Sequence, residues 1–147
     1  MPALQTAYPE RTGRIFSRTK QHPDRSRGVL VVDDDEMVRT FLGVHFRDQG
    51  RPLWLASDGE EAVEIYQHHG SDIDTILLDV RMPDMDGPHT LMRLQEINPS
   101  IACYFMSGDW YPYTESELLE MGAIGLVTKP ATAELLAGAV DECLANA

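Results

Sequence analysis

Hydrophobic and polar positions along the chain fall into two alternating rhythms. Val29, Leu30, Val31 and Val32 run without interruption from Gly28 into three acids, Asp33, Asp34 and Asp35. From Glu36 to Gln49, Val38, Phe41, Leu42, His45 and Phe46 recur near the 3.6-residue period, which predicts a helix with one buried face. Gly50, Arg51 and Pro52 close it. Leu53–Ala56 reads as a second strand. A helix follows to about His69, with Ser57 or Asp58 as its cap and Ala62, Ile65 and either Tyr66 or His69 facing inward. Ile76, Leu77 and Leu78 form a third apolar run that stops at Asp79; continuous apolar sequence is the mark of a strand buried on both faces. Pro83 and Gly87 then break the chain, Gly87 by permitting turn geometry.

The second half repeats the rhythm. Pro88–Ile97 predicts a helix burying Leu91, Leu94 and Ile97 and ending before Pro99. Ile101–Met106 predicts a fourth strand, and Thr114–Met121 a helix in which Thr114 and Glu117 have capping-box spacing. Leu126–Thr128 and Thr132–Leu144 complete the series, with Thr132 as the last cap. Five β-α units predict an α/β fold, a five-stranded parallel sheet with helices on both faces, with the doubly wound order 2-1-3-4-5 as the expectation for its strands. No internal repeat interrupts this domain, which takes in residues 28–147. Residues 1–27 have no sustained period, contain Pro2, Pro9, Gly13 and Pro23, and read as a flexible basic N-terminal extension.

Charge sharpens the division. The net charge is −12, yet residues 1–27 carry six Lys/Arg against two acids, and the remaining 120 residues carry six against 22. Phosphate repulsion excludes direct nucleic-acid binding by the domain, and only the leader is suited to it. No apolar stretch reaches the roughly 18 residues of a membrane span, and no signal peptide opens the chain, so a soluble cytoplasmic protein is expected. Cys103 lies in an apolar strand and reads as a buried thiol rather than a disulfide partner.

Chemistry collects at the carboxyl ends of the strands: Asp33, Asp34 and Asp35 after the first, Asp79 after the third, Ser107 after the fourth and Lys129 after the fifth. In a sheet of this order those ends converge on a cleft at the switch point. Crowded carboxylates repel and call for a cation, and oxygen ligands without His or Cys select Mg²⁺. A lysine and a hydroxyl in the same cleft suit a phosphoryl group, so the implied reaction is attack of a carboxylate oxygen on phosphorus.

Val31–Glu36, Leu77–Gly87, Met106–Gly108 and Val127–Pro130, each placed after a predicted strand, resemble the signature set of the receiver domain of two-component response regulators. The match covers about residues 28–146, and it implies the flavodoxin-like receiver fold. It further implies that Asp79 is the phosphoacceptor and that Asp33, Asp34, Asp79 and the backbone carbonyl of Arg81 surround Mg²⁺. Ser107 and Lys129 then bind phosphoryl oxygens, while Asp35 lies outside the ligand set. The partners implied are a sensor histidine kinase or phosphotransfer protein and a downstream protein target, with no membrane. The resemblance also implies a signalling protein rather than an enzyme, one that catalyses only its own phosphorylation and dephosphorylation.

Three departures from the family pattern carry expectations. Leu126 stands where the family usually has a switching Tyr or Phe; Trp110, Tyr111 or Tyr113 either takes over that role or only packs the loop. Arg81 and Asp109 occupy positions that tune hydrolysis, and an Arg81–Asp109 ion pair is expected to shield the acyl phosphate. Ala131 replaces a common Phe and changes packing only. Because the sequence continues into no effector domain, a stand-alone receiver is expected, with a protein–protein contact, a phosphorelay step or phosphate draining as its output. A pseudo-receiver scaffold and a nucleic-acid-associated regulator acting through the basic leader are the alternatives.

Overall fold

The computed structural model describes residues 27–146, so the leader and its expected role lie outside the described residues, apart from Arg27. Its elements are β1 (Gly28–Val32), α1 (Glu36–Asp48), β2 (Leu53–Ala56), α2 (Gly59–His69), β3 (Ile73–Asp79), α3 (Gly87–Ile97), β4 (Cys103–Ser107), α4 (Glu115–Glu120), β5 (Gly125–Thr128) and α5 (Leu136–Ala145). All strands are parallel, in the order β2-β1-β3-β4-β5. The doubly wound reading therefore holds.

Strand alternation divides the core in two. Leu30, Val32, Ile76, Leu78, Cys103 and Phe105 join Ala62, Leu91, Leu94 and Leu118 on one face, under α2, α3 and α4. Val29, Val31, Leu77, Tyr104, Met106 and Val127 join Leu42, Phe46 and Val140 on the other, under α1 and α5. Each central strand thus buries both faces, which is why β1, β3 and β4 read as unbroken apolar runs. His45, counted with the buried face of α1, lies at its margin and reaches Asp141 of α5 at 2.9 Å.

The caps follow the sequence closely, with exceptions at the edges. Asp58, rather than Ser57, caps α2 through the Glu61 N–H, and Thr114 and Glu117 form the expected capping box. Tyr66 is the buried alternative on α2, whereas His69 stacks on Trp54. Thr132 makes no side-chain cap: a 3₁₀ turn, Ala133–Leu135, intervenes before α5 and satisfies the backbone by its own tighter bonds. Ile97, the last residue of α3, is exposed. Gly138 lies exposed within α5, and an added Cβ there meets nothing. Gly138→Ala is expected to stabilise the fold by about 1 kcal/mol, the usual gain of Ala over Gly in a helix interior, read as a higher urea midpoint.

Candidate functional site: an acid pocket closed by one lysine

The parity of the strands decides which side chains meet. Asp33 continues the alternation of Val29 and Val31, Asp79 that of Leu77, and Lys129 that of Val127, so all three reach the α1/α5 side of the sheet edge. Ladder bonds hold the three strand ends level beyond the strands proper: Asp33 N–H donates to Ala56, Val80 N–H to Met106 and Lys129 N–H to Ser107. The result is compact. Lys129 Nζ lies 2.7 Å from Asp33 Oδ2 and 3.1 Å from Asp79 Oδ1. One oxygen each of Asp33, Asp34 and Asp79 falls within 4.8 Å of the others.

Burial sets the electrostatics. Asp33 and Asp79 are buried, while Asp34 faces solvent. Desolvation pushes Asp79 up to about 7, the neighbouring Asp33 charge adds to the rise, and Lys129 offsets only part of it. Asp33 is raised for the same first reason, against the pull of Lys129. Burial alone would lower Lys129, but its bonds to Asp33 and Asp79 outweigh that and hold its pKa above the ordinary value. One cation is shared between two buried acids, with a third acid alongside.

The donor set fits a small hard cation. Asp33 Oδ2 is fully buried and receives no aligned hydrogen bond; its contact with Lys129 is a close ion pair of poor directionality. Asp33 Oδ1 accepts from the Asp35 N–H at 2.9 Å, which fixes the carboxylate plane. Three carboxylates without His or Cys match the oxygen preference of Mg²⁺. Asp35 stands apart, accepting the Met37 N–H as the N-cap of α1.

The other candidate residues lie differently. Ser107 continues the alternation of Cys103 and Phe105, hence the opposite face, and its hydroxyl donates to the Asp109 carbonyl at 2.7 Å. The expected Arg81–Asp109 ion pair is not formed. Asp109 Oδ1 accepts the Tyr111 N–H at 3.1 Å, and Arg81 Nη1 donates to the Tyr111 carbonyl at 3.3 Å. A turn bond two residues away orders less chain than a cross-loop pair between exposed side chains, and it wins. Leu126 is half-buried and packs against the α2/α3/α4 core.

The β3–α3 loop carries features that the sequence pattern misses. Asp84, not Gly87, adopts the left-handed conformation, with φ 68° and a Met85 N–H to Pro83 carbonyl bond of 2.8 Å. Gly87 serves close approach instead, for a Cβ there would sit 2.3 Å from the Asp79 carbonyl oxygen. Asp86 caps α3 through the His89 N–H at 2.9 Å, and its second oxygen accepts the Tyr113 hydroxyl at 2.6 Å. An Asp just before Gly87-Pro88 is a local signal for such a cap, whereas nothing local signals the tyrosine partner, 27 residues away.

A doubly wound domain that gathers buried acids and a lysine at its switch point has the architecture of a receiver domain. The chain belongs to the response regulator receiver domain family, whose sequence model matches residues 29–141. It is 34% identical over 119 residues to the sensor kinase CckA of Brucella abortus, covering 81% of this chain and 13% of that protein. It is 35% identical over 118 residues to the transcriptional regulatory protein ZraR of Escherichia coli K12, covering 80% of this chain and 26% of that one. The match thus spans about a quarter or less of these relatives. Among solved structures, a chain of the CheX–CheY–BeF3–Mg complex of Borrelia burgdorferi superposes with a TM-score of 0.69 and 30% identity, over 79% of this chain and 87% of that one. Vibrio cholerae CheY4 gives 0.68 and 26%, over 80% and 98%. No described helix is long and apolar enough to cross a membrane.

Proposed function

We propose that this protein accepts a phosphoryl group on Asp79 from a phosphohistidine of a sensor kinase or phosphotransfer protein, and signals through contact with a downstream protein. The observation that carries the reading is Lys129, held 3.1 Å from a buried strand-end aspartate by a second acid. In the reaction an oxygen of ionised Asp79 forms the new bond to phosphorus as the N–P bond of the donor breaks, and the imidazole leaves with that electron pair. Lys129 is placed to offset negative charge on the transferring oxygens, the largest contribution available to a site with no covalent chemistry beyond the acceptor. Mg²⁺ would be held by Asp33, Asp34 and Asp79, with the Arg81 carbonyl as a further oxygen, and would supply neutralisation of the acids and phosphoryl charge. Ser107 must exchange its bond to Asp109 before its hydroxyl can reach a phosphoryl oxygen. Self-phosphorylation and its reversal are the only chemistry this site needs.

Intact-mass measurement after incubation with acetyl phosphate and Mg²⁺ tests the reading. One added phosphoryl group is expected, removed by hydroxylamine as an acyl phosphate should be, and absent when chelator replaces Mg²⁺. No incorporation from acetyl phosphate or from any phosphohistidine donor would leave a scaffold that binds without being phosphorylated.

A further inference from the structure

The family's usual aromatic is absent at Leu126, yet a tyrosine does bridge the two loops that flank the acid pocket. Tyr113 donates its hydroxyl to Asp86 Oδ2 at 2.6 Å, a short bond to a charged acceptor. Asp86 is anchored at its other end: Oδ1 caps α3, and the next residue, Gly87, donates its N–H to the Val80 carbonyl at 2.8 Å. Gly87 also lies directly against the Asp79 carbonyl. The acceptor of the tyrosine bond is thus fastened to the strand end that carries Asp79.

The donor side is fastened to Ser107 and to α4. Ser107 Oγ donates to the Asp109 carbonyl and accepts the Asp109 N–H at 3.1 Å. Asp109 Oδ1 accepts the Tyr111 N–H, and the Tyr113 N–H donates to the Trp110 carbonyl at 2.8 Å. These bonds run link by link from Ser107 to Tyr113, and the next residue, Thr114, is the N-cap of α4. Helix α4 is six residues long and buries only Leu118, which makes it an element cheap to shift. Beside the bond lies a cavity of about 360 Å³ lined by Val80, Met82, Pro83, Pro112 and others, leaving the phenol ring room to swing. The bond to Asp86 and partial burial raise the Tyr113 hydroxyl to about 12, so it remains a donor at physiological pH.

We propose that Tyr113 is the positioning residue through which occupancy of the Asp79 pocket reaches α4, its bond to Asp86 being exchanged as Ser107 turns from Asp109 toward the bound group. The Tyr113 hydroxyl is bonded to Asp86 rather than to a pocket acid. Its role rests on the phosphoryl-acceptor reading and assigns that reading a route to the surface.

Hydrogen exchange of the α4 amides, with and without beryllofluoride plus Mg²⁺, tests it in the described domain with its leader intact. In the wild type beryllofluoride should alter α4 exchange by about tenfold, the scale of one charge-assisted hydrogen bond. Tyr113→Phe should bind beryllofluoride, seen as a fluorine resonance, while the α4 response shrinks to less than about twofold, near the exchange of a frayed helix end. Asp86→Ser, which retains a capping side chain but is too short to reach the phenol, should behave alike. An α4 response in both variants equal to the wild type's overturns the latch and leaves phosphoryl acceptance standing. Wild-type protein that gives no bound fluorine signal overturns the acceptor reading and the latch with it.

Discussion

Asp79→Asn is expected to abolish phosphoryl uptake and, at the same time, to make the metal-free domain more stable above neutral pH. The first effect follows from removing the attacking oxygen; the second follows from burial. Asp79 has a folded-state pKa of about 7 against an ordinary 3.8, chiefly because desolvation disfavours its charge. Below 3.8 the carboxyl is protonated in both folded and unfolded chains, and the substitution should be close to neutral. Between 3.8 and about 7 the unfolded chain releases the proton and the folded pocket retains it, so stability falls as pH rises. Above that window the whole cost is present, on the order of 4 kcal/mol, and an uncharged Asn escapes it. Urea unfolding of both proteins in chelator at about pH 4.5 and about pH 8 measures the difference. The variant's advantage should widen toward the higher pH and narrow when Mg²⁺ is added, because a cation that binds only the folded acids stabilises the wild type. An advantage that is the same at both pH values would mean that Asp79 is not desolvated as described.

Gly87→Ala should be among the most damaging conservative changes in the domain. The added Cβ would lie 2.3 Å from the Asp79 carbonyl oxygen, 2.9 Å from Val80 Cα and 3.1 Å from the Asp79 carbonyl carbon. All three are backbone atoms of the strand end that bears the acceptor, so no side-chain rotation relieves the overlap. Either α3 withdraws from β3, breaking the Gly87–Val80 bond, or the end of β3 tilts and Asp79 leaves its place opposite Lys129. The expected cost is about 3 kcal/mol, the upper range for overpacking a close contact, with slower phosphoryl uptake as the second sign. Gly108→Ala is the control: nothing lies within 4 Å of a Cβ there, and its effect should stay within about 0.5 kcal/mol. Equal urea midpoints for the two alanine variants would contradict the close approach.

These effects arise at places where sequence and structure differ in what they reveal. Gly87 is visible in the sequence as a breaker, but a turn reading assigns it the wrong job. The left-handed residue is Asp84, and Gly87 is small because a strand passes beneath it. Arg81 and Asp109 look like a pair because both flank the acceptor loop, yet each is taken by the backbone of Tyr111. Tyr113 and Asp86 look unrelated and form a 2.6 Å bond. Leader residues 1–26 lie outside the described structure, so the expectation for them stands where the charge pattern left it.

By itself the sequence determined the α/β alternation, the parallel sense of the strands and the identity of the acids and the lysine at the sheet's edge. Those features follow from apolar periodicity and from breakers that act within a few residues of themselves. The tertiary structure alone decided that Asp33, Asp79 and Lys129 share one side of the edge while Ser107 turns to the other, and that Tyr113 is bonded to Asp86. Such pairings depend on the register between strands and the approach of loops distant in the chain, and no local propensity encodes either.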